Sequence, residues 1–161
     1  MIMHSRIFQI SREPIDPENY CSENFELPYD SEYGILVDPI DYVVCLSDEG
    51  KEESIQWLKE VYKDVFKIDG DKVTVVNKKA YFKKRYQDFM KEMKKLKNIT
   101  LEQFSTCEYN KTFRNLKNDY EEEFGFWVDS MQTGMDTLDE FMRRIENGFV
   151  FYIGAVMDYH F

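Results

Sequence analysis

Histidine occurs only twice in the 161 residues, at His4 and His160, so any imidazole chemistry must come from the two ends of the chain. Proline is confined to Pro14, Pro17, Pro28 and Pro39, which leaves the last 122 residues without one and divides the chain into an irregular first quarter and a regular remainder. The seven glycines build no Gly-rich phosphate loop, and no G-x-S-x-G nucleophile motif occurs. Cys21, Cys45 and Cys107 are odd in number and show no C-x-x-C spacing, which excludes a disulfide framework and the common zinc motifs and reads as reduced thiols in a cytoplasmic protein. No apolar run approaches the roughly 18 residues of a membrane span, and the N-terminus lacks a secretory h-region. The expectation is a cytoplasmic chain with no membrane partner and no cofactor.

Apolar residues make up 43% of the chain and aromatic residues 16%, enough to predict a folded domain with an aromatic-rich core rather than a disordered segment. The net charge of −10 is unevenly spread. Residues 1–12 carry +2, residues 13–60 carry −12, residues 61–118 carry +8 and residues 119–161 carry −8. A basic middle between acidic ends either pairs within the molecule or presents two faces of opposite potential. The overall acidity makes general nucleic-acid binding unfavourable.

Residues 3–11, MHSRIFQIS, read as a strand that ends at the two prolines of REPIDPE. An irregular acidic arm follows at about 12–37, with Tyr20, Phe25, Tyr29 and Tyr33 available to anchor it. Within residues 38–47, Asp38 as cap and Pro39 at the first helical position favour a short helix, although Val43-Val44 argue for a strand. Ile55, Leu58, Tyr62, Val65 and Phe66 then recur at helical spacing behind an acidic first turn, and Asp69-Gly70-Asp71 supplies a turn. KVTVV, residues 72–76, is a compact β-branched run and reads as a strand.

Asn77 caps the longest predicted helix, residues 78–97, whose expected apolar seam is Phe82, Tyr86, Phe89, Met93 and Leu96. Thr100 and Gln103 fit a capping box. Tyr109, Phe113, Leu116 and Tyr120 share a face from which Leu101 and Phe104 fall out of phase, which predicts a break near Ser105 and Thr106. Gly125 is placed as a helix stop, residues 126–131 as a short strand and QTGMD as its turn. Asp136 is expected to cap a helix carrying Leu138, Phe141, Met142 and Ile145, closed by Asn147-Gly148. The terminal run 149–160 is a strand with a wholly apolar face from Phe149 to Tyr159 and a second face that turns polar at Asp158 and His160. Its length and two-sided apolarity place it centrally. The predicted fold is a single α+β domain, a small and mainly antiparallel sheet covered by four or five helices.

Two constellations carry candidate chemistry. Asp158 and His160 share a strand face, and His4 lies on a strand that can pair with theirs; a carboxylate beside an imidazole fixes its tautomer and raises its basicity, as a general base or metal ligand requires. Polar strand ends that simply reach water explain the same three residues, and that reading is preferred. The long helix carries Lys79, Lys83, Lys84, Arg85, Lys91, Lys94 and Lys95, a basic face suited to a partner or to the chain's own acidic segments. The acid-rich stretches SDEGKEE and NDYEEE suit solubility, or mimicry of a phosphate backbone. The expectation is a small, acidic, non-catalytic binding or regulatory protein acting through protein contact, with homo-oligomerisation left open. The alternatives are an enzyme or metal site at His4, Asp158 and His160, and a nucleic-acid mimic.

Overall fold

The computed structural model describes residues 4–21, 42–121, 126–129 and 135–160. Strand β7 (Val150–His160) organises the sheet because both of its edges are occupied. Strand β1 (His4–Ser11) runs antiparallel along one edge. On the other edge β4 (Lys72–Val75) takes residues 150–152 and β2 (Tyr42–Cys45) takes residues 157–160. Strand β3 (Phe66–Asp69) forms a hairpin with β4 around Gly70, whose φ of 57° is a conformation glycine adopts freely. Beyond β1, β5 (Phe126–Asp129) adds in parallel and β6 (Met135–Thr137) pairs antiparallel with β5. The result is the expected single-domain α+β fold, with a mainly antiparallel sheet and five α-helices among the described residues.

The helices are α1 (Asp48–Val61), α2 (Lys78–Leu96), α3 (Leu101–Phe104), α4 (Asn110–Tyr120) and α5 (Leu138–Arg144). One hydrophobic core joins Ile55 and Leu58 of α1, Tyr81 of α2, and Leu138, Phe141 and Met142 of α5 to Phe8, Ile10, Phe151, Ile153 and Val156 of the sheet. Aromatic edges meet faces around Phe151, with Phe66 at 6.1 Å and Phe141 at 5.3 Å between ring centroids. Among the described residues no helix is long and apolar enough to cross a membrane.

The terminal strand departs from simple alternation. Ile10 pairs with Ile153 but Phe8 pairs with Val156, so β7 spends one more residue than β1 over the same interval. This bulge at Gly154 and Ala155 shifts the phase of the strand. Phe151, Ile153 and Val156 therefore all enter the core beneath the helices, while Met157 and Tyr159 are buried on the opposite face with Ile7. The expected unbroken face from Phe149 to Tyr159 is thus split between the two sides of the sheet.

Gln9, 2% exposed, repairs the interrupted ladder. Its Oε1 accepts from the backbone N–H groups of Ala155 (3.1 Å) and Cys21 (3.0 Å), and its Nε2 donates to the Asn19 carbonyl (2.9 Å). The start of the arm, with its short helical turn Pro17–Asn19, is thereby bound across the bulge, where Ile15 lies over Gly154. Of the four aromatic anchors expected in the arm, Tyr20 meets α1, accepting from Lys51 Nζ at 3.1 Å; Phe25, Tyr29 and Tyr33 lie outside the described residues.

Other local expectations change for identifiable reasons. Within 38–47, residues Tyr42–Cys45 form a strand, because the open edge of β7 supplies ladder partners to a Val-Val pair that local capping signals cannot offset; residues 38–41 lie outside the described set. Ser47 caps α1 by accepting from Gly50 N–H at 3.3 Å. That helix stops at Val61, and Val65 and Phe66 leave the helical pattern to enter the β3–β4 hairpin. Met135 and Asp136, expected as turn and cap, instead join Thr137 in β6, and Thr137 rather than Asp136 caps α5 in a capping box with Glu140. The capping box at Thr100 and the break at Ser105 are as expected, whereas Gly125 and residues 130–134 lie outside the described residues.

A methyl group at position 154 would stand 2.8 Å from Gln9 Oε1 and from Ile15 Cδ1. Gln9 cannot retreat without releasing its three hydrogen bonds. Gly154→Ala should therefore destabilise the chain by about 1–3 kcal/mol, read as a lower urea midpoint at unchanged slope; a change below about 0.5 kcal/mol would contradict this packing.

Candidate functional site

His4 and His160 are direct partners in the β1–β7 register, and Tyr42 of β2 pairs with His160 from the other edge. Their backbones thus meet at one end of the sheet, as sequence reading allowed; the two imidazoles are outside the described side chains. Asp158 pairs in register with Arg6 and accepts from the Arg6 guanidinium, which also donates to Ser54 Oγ on α1 at 3.3 Å. A cation that sequence spacing did not single out therefore joins Asp158, and the ion pair ties the sheet end to α1.

The basic helix is positioned by a carboxylate at the start of another helix. Asp139, in the first turn of α5, is completely buried. Its Oδ1 accepts from the Tyr81 hydroxyl at 2.6 Å and from Arg85 Nη1, while Arg85 Nη2 donates to the Asn118 carbonyl at 2.8 Å. Removing one member of a buried ion pair costs about 3–5 kcal/mol, because the charge left behind has no water. Burial, and then the Asp139 charge, push the Tyr81 phenol far above its usual pKa. The Tyr81–Asp139–Arg85 network went unread in the sequence because its members are 54 and 58 residues apart; Tyr81 and Arg85, one helical turn apart, were its only local sign.

With Tyr81 and Arg85 turned inward, α2 is rolled by roughly 60° from the orientation its apolar seam predicts, at 100° per residue. Phe82, Phe89 and Leu96 remain half-buried, but Tyr86 is 64% exposed and Met93 is also exposed. Glu92 becomes the buried residue of the distal half, facing Thr112, the buried residue of α4. The helix α4 is turned as well, leaving Phe113 and Tyr120 of its expected seam exposed. Arg143 bridges the assembly, its guanidinium 5.5 Å from the Phe82 ring centre and 4.2 Å from that of Tyr120.

The α2–α4 contact therefore mixes polar and aromatic groups, with Glu92 facing Thr112 and the Phe89 and Tyr120 rings 6.4 Å apart. Lys95 holds Glu92 below the usual carboxylate range, and Lys91 does the same for Asp88, 2.9 Å away. Asp119 is pushed upward, first by burial and then by the charges of Asp88 and Glu92.

The predicted cations divide into two groups. Arg85, Lys91 and Lys95 are engaged by Asp139, Asp88 and Glu92. Lys79, Lys83, Lys84 and Lys94 are exposed and form no ion pair with the described residues, and Lys97 at the helix end shares that state. Lys79, Lys83, Tyr86, Met90, Met93 and Lys97 recur at spacings of four and three residues, making one outward seam about 27 Å long at 1.5 Å per residue. An open groove beside the N-terminal half of α2 is walled by Tyr62, Asn77, Tyr81, Arg85, Asn118 and Asn147. Four of its polar groups are engaged within the fold, since Asn77 accepts from Ala80 N–H, Asn147 accepts from Lys78 N–H, and Tyr81 and Arg85 hold Asp139, while Lys79, Lys83 and Lys84 also line it.

No group of three or more His, Cys, Asp or Glu side chains arranged to hold a metal ion occurs among the described residues. Compared with known proteins, the chain matches no family model, no curated protein and no solved structure.

Two titrations follow from these environments. The native state holds the Tyr81 proton more tightly than the unfolded chain, so its contribution to stability is complete below about pH 10 and is lost as pH rises. In urea titrations from pH 9.5 to 11.5, the wild type should lose stability more steeply than Tyr81→Phe, the difference in slope approaching about 1.4 kcal/mol per pH unit at the upper end; parallel curves would refute the assignment. Asp119 also binds its proton more tightly when folded, so its ionisation opposes folding as pH rises. Asp119→Asn should raise the melting temperature at pH 7, and the two proteins should converge below about pH 4, where the carboxyl is protonated in both states. An equal or lower melting temperature for the variant at pH 7 would count against the like-charge contact.

Proposed function

We propose that the protein is a non-catalytic binding module whose outward α2 seam receives an acidic amphipathic helix of a protein partner. The observation that carries this reading is the heptad-like run of Tyr86, Met90 and Met93 between Lys79, Lys83 and Lys97, exposed although apolar and flanked by cations without ion pairs among the described residues. Four- and three-residue spacing is the interval at which one helix reads another, and interleaved lysines select acidic residues at its flanks. The same charges that attract an acidic segment repel a basic one, so the seam supplies selectivity as well as on-rate. The chain's net charge of −10 works against extended polyanions, which would meet long-range repulsion beyond the seam.

The test uses a fluorescent acidic amphipathic peptide, its lysine-substituted counterpart, oligothymidylate and anionic phospholipid vesicles. The acidic peptide should bind saturably and weaken as salt rises, and the basic peptide should not bind. Lys79→Glu/Lys83→Glu and Tyr86→Ser/Met90→Ser should each weaken binding by about tenfold, corresponding to 1.4 kcal/mol, whereas Lys67→Glu on β3 should leave it unchanged. Absence of saturable binding, or equal binding to oligothymidylate or vesicles, would overturn the reading.

A further inference from the structure

We propose that Cys21 and Cys45 form a redox-modification site that closes into an intramolecular disulfide when a low-molecular-weight disulfide is present. The fold brings them together from opposite edges of β7. Cys45, on β2, pairs in register with Met157, which is buried on the sheet face opposite the helices. Cys21 reaches that same face from the β1 side, its N–H held by Gln9 Oε1 at 3.0 Å. The Cys45 thiol donates to the Cys21 carbonyl at 3.0 Å, so the Cys45 sulfur already lies against the backbone of Cys21. Both residues are partly exposed, which admits a small oxidant. Burial raises the Cys21 pKa, and the neighbouring Cys45 thiol adds to that rise, in keeping with this proximity.

The chemistry is balanced by the oxidant. One thiolate attacks a sulfur of the small disulfide and expels a thiol, forming a mixed disulfide. The second cysteine then attacks the protein sulfur, expels the second thiol and leaves the Cys21–Cys45 bond. The protein is oxidised by two electrons, the small disulfide is reduced to two thiols, and the two cysteine protons end on them. Between the cysteines lies a segment with six acidic residues and no basic one, so the bond would fix both ends of an acidic stretch.

The full chain carrying Cys107→Ser, which removes the exposed third thiol, is equilibrated with oxidised glutathione and analysed by mass spectrometry and thiol labelling. Loss of both thiols in a monomer, without added glutathione mass, and a tryptic Cys21–Cys45 cross-link are expected. Closure should be about tenfold or more faster in the native chain than in urea, because the fold holds the sulfurs near one another. The oxidised chain should also melt several degrees higher, since the bond restricts the unfolded state. Stable glutathione adducts on either cysteine, two unreacted thiols, or equal closure rates with and without urea would each overturn the proposal.

Discussion

Asp139 has no contact with water, and its charge must be met inside the protein. It lies at the start of α5, so one part of that requirement falls to the helix N-terminus and another to α2, which supplies the Tyr81 hydroxyl and the Arg85 guanidinium. These two contacts fix the rotation of α2. The inward turn of Arg85 carries Glu92 into the α4 contact and turns Tyr86, Met90 and Met93 toward solvent. The seam proposed to receive a partner is therefore a consequence of the buried network, because a helix cannot present its charged Arg85 to Asp139 and its whole apolar stripe to the core.

A second constraint acts at the middle of the sheet. The bulge in β7 divides the strand's apolar residues between two faces and disturbs the ladder beside Ala155. Gln9 satisfies that N–H and, in the same act, binds the backbone of Asn19 and Cys21. Lys51 completes the other edge, donating to the Ile153 carbonyl at 3.4 Å while paired with Asp71 at 3.1 Å. The arm is thus joined to the sheet through backbone hydrogen-bonding needs, with Tyr20 adding a contact to α1. This attachment also carries Cys21 across β7 to Cys45.

Much of the architecture was legible in one dimension. The long helix with Asn77 as its cap, the capping box at Thr100, the break at Ser105, and the central place of the terminal strand all rest on contacts within a few residues or on strict periodicity. The elements that escaped, β2, β3 and β6, are three or four residues long, too short to show a period, and β2 gains its ladder only from β7, far along the chain. The candidate site was legible only in part. The lysines of α2 were named, but which of them would be engaged depended on acids at Asp88, Glu92 and Asp139, the last of which lies on another helix. That the strands of His4 and His160 can pair was legible in the sequence, but the register that sets the two residues opposite one another, and the Arg6–Asp158 ion pair with it, is specified by no local pattern.

The sequence by itself determined the fold class, the positions of the long helix and the central strand, and the concentration of positive charge on α2, because periodicity, capping chemistry and composition act over short distances. Tertiary structure alone decided which way α2 faces, where β7 changes phase, and which thiols become neighbours. Those outcomes depend on satisfying buried charges and backbone groups with partners up to 146 residues away, and that requirement can be met only once the chain is folded.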